Sequence, residues 1–375
     1  MHVLHVLKFS PPFGGGMVEH LSALGEAARA RGDAITYAFP QRQPWFEELA
    51  RHGEVLELPE ILRPLRSGFR GRLRRLCRER SVDILHMHFS FALPLALALG
   101  PGSGTYPVVY HWHNVPRALL PGASTTPMHP LRFLARGLAR LGDRRVIRRH
   151  LTVSREIRDA LLAHGWAAAD KVEHCPNALG RLPAGKSAAD ADPVRDIVVG
   201  SVASFRPQKD HASLLRAFAG VLREFPSARL ALVGDGPTRK ASETLSRELG
   251  IEGRVSFLGT LADPAAAYRT FDVFVLSTHY EGHPLALLEA MSHGLPVVAT
   301  DLPSVREVVP EGLREWLVPG RDPEALSRAI SRLVRDRELR RNAGLLARKT
   351  VEEQFRMERW VEQVLGIYRE VLTSR

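Results

Sequence analysis

Cysteine is scarce: Cys77 and Cys175 are the only two in 375 residues. Two cannot build a disulfide framework, and neither has metal-ligand partners in nearby sequence, so a reducing, cytoplasmic setting is expected. Long apolar runs are also missing. The most apolar internal stretch, residues 89–99, contains Pro94 and is far too short to cross a bilayer. The N-terminus MHVLHVLKF lacks a charged region before its apolar residues and lacks a small-residue cleavage pattern. It therefore reads as a first β-strand rather than a signal peptide. No short-period repeat is present, and the glycines at 14–16 do not form G-x-G-x-x-G.

What is present is globular composition, 45% hydrophobic and 25% charged, which excludes a disordered chain. The length suggests two domains. The net charge of +11 is uneven: residues 1–187 hold 26 basic and 15 acidic groups, and residues 188–375 hold 26 of each. Only the first half should seek an anionic partner.

The second half alternates short β-branched runs (197–202, 230–233, 255–258, 273–276, 297–299) with helical patterns such as Leu214, Leu215, Ala217, Phe218 and Leu222. Strands apolar on both faces, alternating with helices, predict a covered parallel sheet. The first half repeats the scheme with strands near 3–7, 34–37, 84–86, 108–111 and 151–153. The expected domains are 1–180 and 197–356. The polar segment 181–196 is the linker, and a final helix near 357–375 returns to the first domain. Gly180, Gly185, Lys186 and Ser187 match a phosphate-loop pattern, but Pro183 and the following SAADADP give it no strand–loop–helix context. It reads as linker.

Ligands of open parallel sheets bind beyond the carboxyl ends of the strands. After 197–202 comes ASFRPQKD, with Arg206 and Lys209, and after 230–233 comes Gly234 in GDGP. The loop STHYEGHP is the most informative. Gly282 allows close approach of a ligand, and Pro284 is expected in the first turn of the helix that follows. Amides around Gly282, His283, Leu285 and Ala286 would then form an anion site of the kind that takes phosphate. Glu281 and Glu289 would repel phosphate, so they are expected to bind hydroxyl groups of a ribose and a sugar.

Glu281-x7-Glu289, set in EGHPLALLEAMSHGLPVVAT, resembles the signature of retaining GT-B glycosyltransferases of family 4. FRPQKDHASLLRAF, LALVGDGP, RVSFLGTLADPAAAY, FDVFVLSTHYEG and WLVPGRDPEALSRAI extend the likeness. In the first half, FSPPFGGGMVEHLSALGEAARARGD, ILHMHF, HWHN, VSREIRDAL and PNAL are also similar. The resemblance implies a GT-B fold, two Rossmann-like parallel-sheet α/β domains facing across a cleft, the first for the acceptor and the second for the donor. It implies transfer of a sugar, with retention, from a UDP- or GDP-linked donor to a glycan or lipid-linked acceptor in polysaccharide or glycolipid synthesis. It also implies Glu289 on the ribose, Glu281 against the donor sugar, Lys209 on the diphosphate with Gly15 and Gly16 opposite, and His113 approaching the sugar from the acceptor side. Base selectivity would come from backbone near Phe257 and Leu258. Ser204 stands where the family usually has Arg, and Arg206 is the nearest replacement. Asn114 stands where an acidic residue is common.

The chemistry needs no added cofactor. Cations and amides can stabilise charge on a departing nucleoside diphosphate, so no metal is expected. His86, His88, His111 and His113 read as two i, i+2 strand pairs without an acidic companion, which is poor ground for a metal site. Two alternatives share parts of this pattern. One is a GT-B sugar-nucleotide epimerase, and the other a non-catalytic basic module for anionic lipid or nucleic acid. The donor-site motifs favour the transferase, with no nucleic acid expected. In LRFLARGLARLGDR, Leu131, Leu134, Leu138 and Leu141 share one helical face and Arg132, Arg136, Arg140 and Arg144 the other. The face reads either as solvated surface of a domain helix or as a peripheral dock on an anionic membrane. Arg70, Arg72, Arg74 and Arg75 add a second basic stretch.

Overall fold

A computed structural model describes residues 1–8, 15–65, 67–89, 93–94, 97, 106–114, 137, 140–141, 143–180, 182–183, 196–261 and 263–374. Gly14, the leucines 131, 134 and 138, Arg132, Arg136 and the Gly185–Ser187 part of the phosphate-loop pattern lie outside these residues. The chain divides into two compact units, Met1–Gly180 with Met357–Arg375, and Arg181–Arg356.

The first unit carries strands β1 (His2–Leu7), β2 (Ala34–Phe39), β3 (Glu54–Glu57), β4 (Ile84–His88), β5 (Val108–Trp112), β6 (Ile147–Thr152) and β7 (Val172–His174). All pair in parallel, in the order β3-β2-β1-β4-β5-β6-β7. Side chains alternate across each strand. Leu4, Val6, Leu85, Met87 and Tyr110 therefore fill one core layer. Val3, Leu7, Ile84, Val109 and Leu151 fill the other. The second layer is closed by the helix Gly15–Ala30 and by the last helix, Met357–Thr373, whose Trp360, Val364, Leu365 and Tyr368 are buried there.

The second unit carries β8 (Val198–Val202), β9 (Arg229–Val233), β10 (Val255–Gly259), β11 (Val273–Leu276), β12 (Val297–Thr300) and β13 (Leu317–Val318), ordered β10-β9-β8-β11-β12-β13. Its helices are set by local chemistry. Asp210, Asp263, Asp322 and Asp336 each cap a helix by accepting a backbone N–H, which stabilises a helix by about 1 kcal/mol.

Both sheets extend in one direction, return to the first strand and continue on its other side. The break falls between β1 and β4 and between β8 and β11. Ligands settle at such a switch point in doubly wound folds.

Three strands differ from expectation by being there at all: β3, β7 and β13 are short edge strands of two to four residues. Partly exposed edge positions do not need the apolar signal that marks a central strand. The strand read at 151–153 lies earlier, at Ile147–Thr152, where exposed Arg148 and half-buried Arg149 interrupt the apolar pattern.

Candidate active site

The loop leaving β8 is shaped by its own sequence. Pro207 opens a single 3₁₀ turn, Pro207–Lys209. Asp210 then takes a left-handed conformation, φ 40° and ψ 47°, and its side chain accepts from Ser213 N–H to start the helix His211–Glu224. Phe205 is buried and stacks on His211 with ring centroids 4.0 Å apart.

Four hydrogen bonds tie this loop to the one leaving β11. His279 N–H donates to the Gln208 carbonyl at 2.8 Å. Gln208 Nε2 donates to the Tyr280 carbonyl at 2.6 Å, Thr278 Oγ1 to the Gln208 carbonyl at 3.2 Å, and Ser277 Oγ to the Lys209 carbonyl at 3.2 Å. The result is that Lys209 Nζ donates to Glu281 Oε1, an ion pair at the switch point with Glu281 8% exposed. The buried hydroxyl of Ser304 donates to the Glu281 carbonyl at 3.1 Å and fixes the backbone on the other side.

Beyond Glu281 the chain runs through buried Gly282 and His283 into the helix Leu285–Ser292. Pro284 does not occupy the first turn as expected. It is the N-cap residue, with φ −74° and ψ 100°, and its carbonyl accepts from Leu287 and Leu288 at 3.1 and 3.2 Å. Its missing N–H costs nothing at that place, and its extended ψ turns the chain into the helix. The first amides of a helix have no intrahelical acceptor, and this end carries the positive pole. Lys209, paired with Glu281, and the helix terminus thus follow two neighbouring central strands, at the carboxyl end of the sheet.

Glu289, one turn inside the helix, is held from below. Tyr268 Oη donates to Glu289 Oε2 at 2.7 Å and lies 3.3 Å from the Ala286 carbonyl. Tyr268 is buried, and burial beside that carboxylate pushes its phenol well above the usual range. It is a proton donor at any working pH. Tyr268 closes the segment RVSFLGTLADPAAAY, but the sequence gives it no role, because it lies on another helix, Pro264–Thr270.

Gly234 has φ 130°, and a Cβ there would lie 2.1 Å from the Ala203 carbonyl oxygen. Its N–H donates to the Gly259 carbonyl at 2.7 Å. The glycine thus lets the loops after β8 and β9 pack together. Near the strand ends, Arg239 Nη2 donates to the Phe257 carbonyl at 3.2 Å, and Leu258 is 45% exposed. Arg239 is a further residue that the sequence reading passed over. Arg206 and Ser204 are both exposed on the β8 loop.

The other sequence-expected residues belong to the first unit. Gly15 opens its helix at φ 53°, exposed. The Gly16 carbonyl accepts from His20 Nδ1 at 2.5 Å, while His20 Nε2 accepts from Ala178 N–H at 3.0 Å. Burial lowers the His20 pKa to about 4. Half-buried His113 lies just past β5, with Nε2 3.0 Å from His88 Nδ1. The reading of the strand histidines as two separate pairs needs correction. β4 and β5 are neighbours and β1 lies beside β4, so His5, His86, His88, His111 and His113 form one cluster. Cys77 and Cys175 are buried, and burial pushes the Cys77 thiol up to about 12.

Of the basic face, Arg140 and Arg144 are exposed, and Arg140 Nε donates to the Gly165 carbonyl at 3.2 Å. Leu141 packs against the core. Among the described residues, no helix is long and apolar enough to cross a membrane.

Known proteins resemble both units. The profile of the family "Glycosyl transferases group 1" matches residues 186–350, and that of "Glycosyltransferase Family 4" matches residues 14–179. The chain is 37% identical over 171 residues to N-acetyl-alpha-D-glucosaminyl L-malate synthase of Bacillus anthracis, covering 46% of this chain and 45% of that protein. It is 30% identical over 211 residues to the lipopolysaccharide core biosynthesis glycosyltransferase LpsE of Rhizobium meliloti, covering 56% and 60%. The aligned part thus spans about half the length of these curated relatives. Among solved structures, HepE of Anabaena in complex with UDP-glucose superposes with a TM-score of 0.80 at 20% identity, covering 100% of both chains. WaaG, a glycosyltransferase involved in lipopolysaccharide biosynthesis, gives 0.74 at 15% identity, covering 98% and 99%. With matching profiles on both units and two parallel sheets of this topology, the chain belongs to the GT-B glycosyltransferases of family 4, glycosyl transferases group 1.

Proposed function

We propose that the protein is a retaining glycosyltransferase that moves a sugar from a nucleoside-diphosphate sugar to a glycan or lipid-linked acceptor in cell-surface polysaccharide or glycolipid synthesis. The observation that carries this reading is the latched pair of loops at the β8/β11 switch point. It sets Lys209 against Glu281 beside the N-terminus of the helix that bears Glu289. The second unit is the donor domain and the first the acceptor domain in this reading.

Departure of a nucleoside diphosphate builds negative charge on its leaving oxygens. A fixed ammonium and helix-terminal amides are suited to that charge without a divalent ion. Lys209 has three donors and spends one on Glu281, so the others remain for phosphate oxygens. Arg206, three residues upstream, is exposed and adds a second cation whose charge is screened by water, and Gly15, Gly16 and Gly234 leave backbone accessible near strand ends. Glu289, oriented by Tyr268, receives the ribose hydroxyls. Glu281 and His113 face the sugar hydroxyls. The base stacks and bonds near Phe257 and Leu258, where Arg239 fixes the Phe257 carbonyl. The leaving phosphate takes the acceptor proton on the same face, which gives retention without a protein base. HepE bound to UDP-glucose supports a nucleotide-sugar donor of the UDP type, with GDP sugars as the other class. Arg140 and Arg144, with Arg132 and Arg136, would hold the first unit on anionic lipid at about 1 kcal/mol per charge.

A thermal-shift series with UDP, GDP and ADP tests the donor site. A nucleotide at 100-fold excess over its Kd stabilises the protein by about 2.7 kcal/mol. No shift with any of them overturns the reading. Proton NMR of the product anomer then separates retention from inversion.

A further inference from the structure

Five histidines share one face of the first sheet. Register pairs His5 with His86 and His88 with His111, and His113 follows His111 by two positions. Residues paired in register, or two apart on a strand, point to the same side. The rings stack, with centroids 4.2 Å apart for His86 and His88 and 4.3 Å for His111 and His113.

Four of them lie on a hydrogen-bonded string. His86 Nδ1 is 2.5 Å from Tyr368 Oη, which is 3.2 Å from His5 Nε2. His5 Nδ1 is 3.1 Å from His88 Nε2, and His88 Nδ1 is 3.0 Å from His113 Nε2. His111 stands beside the string, 2% exposed, and neither of its ring nitrogens has a hydrogen-bond partner among the described residues. A neutral imidazole always carries one N–H and one lone pair, and leaving such groups buried and unpaired is costly.

We propose that His88 Nδ1, His113 Nε2 and a ring nitrogen of His111 form a binding site for a divalent first-row transition ion of the zinc type. The three residues each offer a nitrogen within 4.8 Å of the others. Zinc–nitrogen bonds of 2.0–2.1 Å in a tetrahedron put ligand nitrogens about 3.3 Å apart. The His88–His113 separation therefore needs to open by only a few tenths of an ångström. An ion between them takes both lone pairs, which puts the His88 proton on Nε2, where it donates to His5 Nδ1. His5 Nε2–H then donates to the Tyr368 oxygen, and Tyr368 O–H to His86 Nδ1. The donors and acceptors then run in one direction from His88 to His86 Nδ1, leaving His86 Nε2 unpaired among the described residues, and ligand His88 has the outer hydrogen bond that metal-bound histidines normally have. The second triad, His5, His86 and His88, also converges. There, however, His5 is engaged through both ring nitrogens, with His88 and with Tyr368, and His86 is bonded to Tyr368 as well.

The donor set decides the ion. Imidazoles alone favour zinc, copper, nickel and cobalt over magnesium and calcium, which want oxygen. Burial keeps the imidazoles neutral, as ligands must be: it lowers His113 to about 3 and holds His88 and His111 well below the usual histidine range. Three protein ligands leave a fourth position, which falls to an anionic oxygen or water on the half-buried His113 side. The site does not depend on the proposed transfer reaction, although an occupied site would engage the His113 imidazole.

The test is equilibrium dialysis of tag-free, chelator-stripped protein against Zn²⁺, with visible absorption of the Co²⁺ form. One ion per chain and intense tetrahedral Co²⁺ bands are expected, with no retention of Mg²⁺. His111→Ala should abolish binding while circular dichroism confirms the fold. Tyr368→Phe keeps all three ligands and should weaken affinity by about 10–100-fold, the usual cost of an outer-shell partner. Wild-type protein that retains no ion, or retention unchanged in both variants, overturns the proposal. Should His111→Ala fail to fold, Tyr368→Phe and His113→Ala decide it by the same dialysis.

Discussion

At the switch point of the second sheet stand Lys209, Glu281 and a helix terminus; at that of the first stand His5, His86 and His88, neutral and buried. The strand order is the same around the break in both. One end is built from full charges linked by hydrogen bonds between loops, the other from uncharged rings stacked on the strands themselves. The difference teaches that topology fixes where a ligand can sit, while the residues at strand ends decide whether that place carries full charges or neutral imidazoles. It also separates what each end demands. Charged groups need partners at the edge, where water and ligands reach. Imidazoles need the second core layer and its covering helix.

The largest effect should come from the charged end. Lys209→Ala is expected to lower kcat by about 10²–10³, the range seen when one preorganised donor to a developing anion is lost. Steady-state kinetics on the matched sugar nucleotide would measure it. Near-normal turnover would break the assignment of charge handling to the second unit.

Acid should divide the two ends. Burial lowers His5 to about 3 and His20 to about 4, against 6.5 in an unfolded chain, and holds His86, His88 and His111 well below that value. The unfolded state therefore binds more protons below pH 6.5. The stability from these groups is complete above that pH and falls as pH drops toward 3–4. Each such histidine removes up to about 1.4 kcal/mol per pH unit over that window. In the second unit His211 is lowered to about 4 by the same cause. Hydrogen exchange read by mass spectrometry between pH 7 and 5 should show β1, β4 and β5 losing protection before β8 and β11. Simultaneous loss would dissolve the contrast.

A smaller effect sharpens the donor end. Tyr268→Phe leaves the core filled but removes the hydrogen bond to Glu289, and donor Kd should rise about tenfold, or about 1.4 kcal/mol. An unchanged Kd would mean that Glu289 needs no such support. Least of all, Arg206→Ala should change kcat/KM by less than about fivefold, because its charge is exposed and screened. A loss close to that of Lys209→Ala, rescued by Ser204→Arg, would show instead that Arg206 shares the diphosphate.

Much of the donor end was legible in sequence because its chemistry is local. Gly282, the proline, Glu281 and Glu289 lie within nine residues, and Lys209 follows its strand by a short loop. The central strands were legible for the same reason: a strand buried on both faces must be continuously apolar. The edge strands β3, β7 and β13 were not, since exposure removes that requirement. Tyr268 and Arg239 escaped because what they touch is fixed by helix packing. The histidine face escaped because it needs register. His5 and His86 are 81 positions apart, and only parallel pairing makes them neighbours. An i, i+2 histidine pair on each of two adjacent strands was the signal available.

The last helix has a consequence for how the protein is made. Met357–Thr373 supplies Trp360, Val364, Leu365 and Tyr368 to the unit that the ribosome synthesises first. A nascent chain that has completed residue 356 holds everything the second unit contains, yet the layer of Val3, Leu7 and Val109 has only the helix Gly15–Ala30 and still lacks its second covering helix. At 5–20 residues per second, the first unit waits through the whole translation of the second. The later-synthesised unit is thus the one able to finish first, and the earlier one stays open to chaperones until the tail arrives. Pulse proteolysis of a chain ending at residue 356 should find Arg181–Arg356 protected and Met1–Gly180 cut. Adding the peptide 357–375 in trans should restore protection to the cut unit.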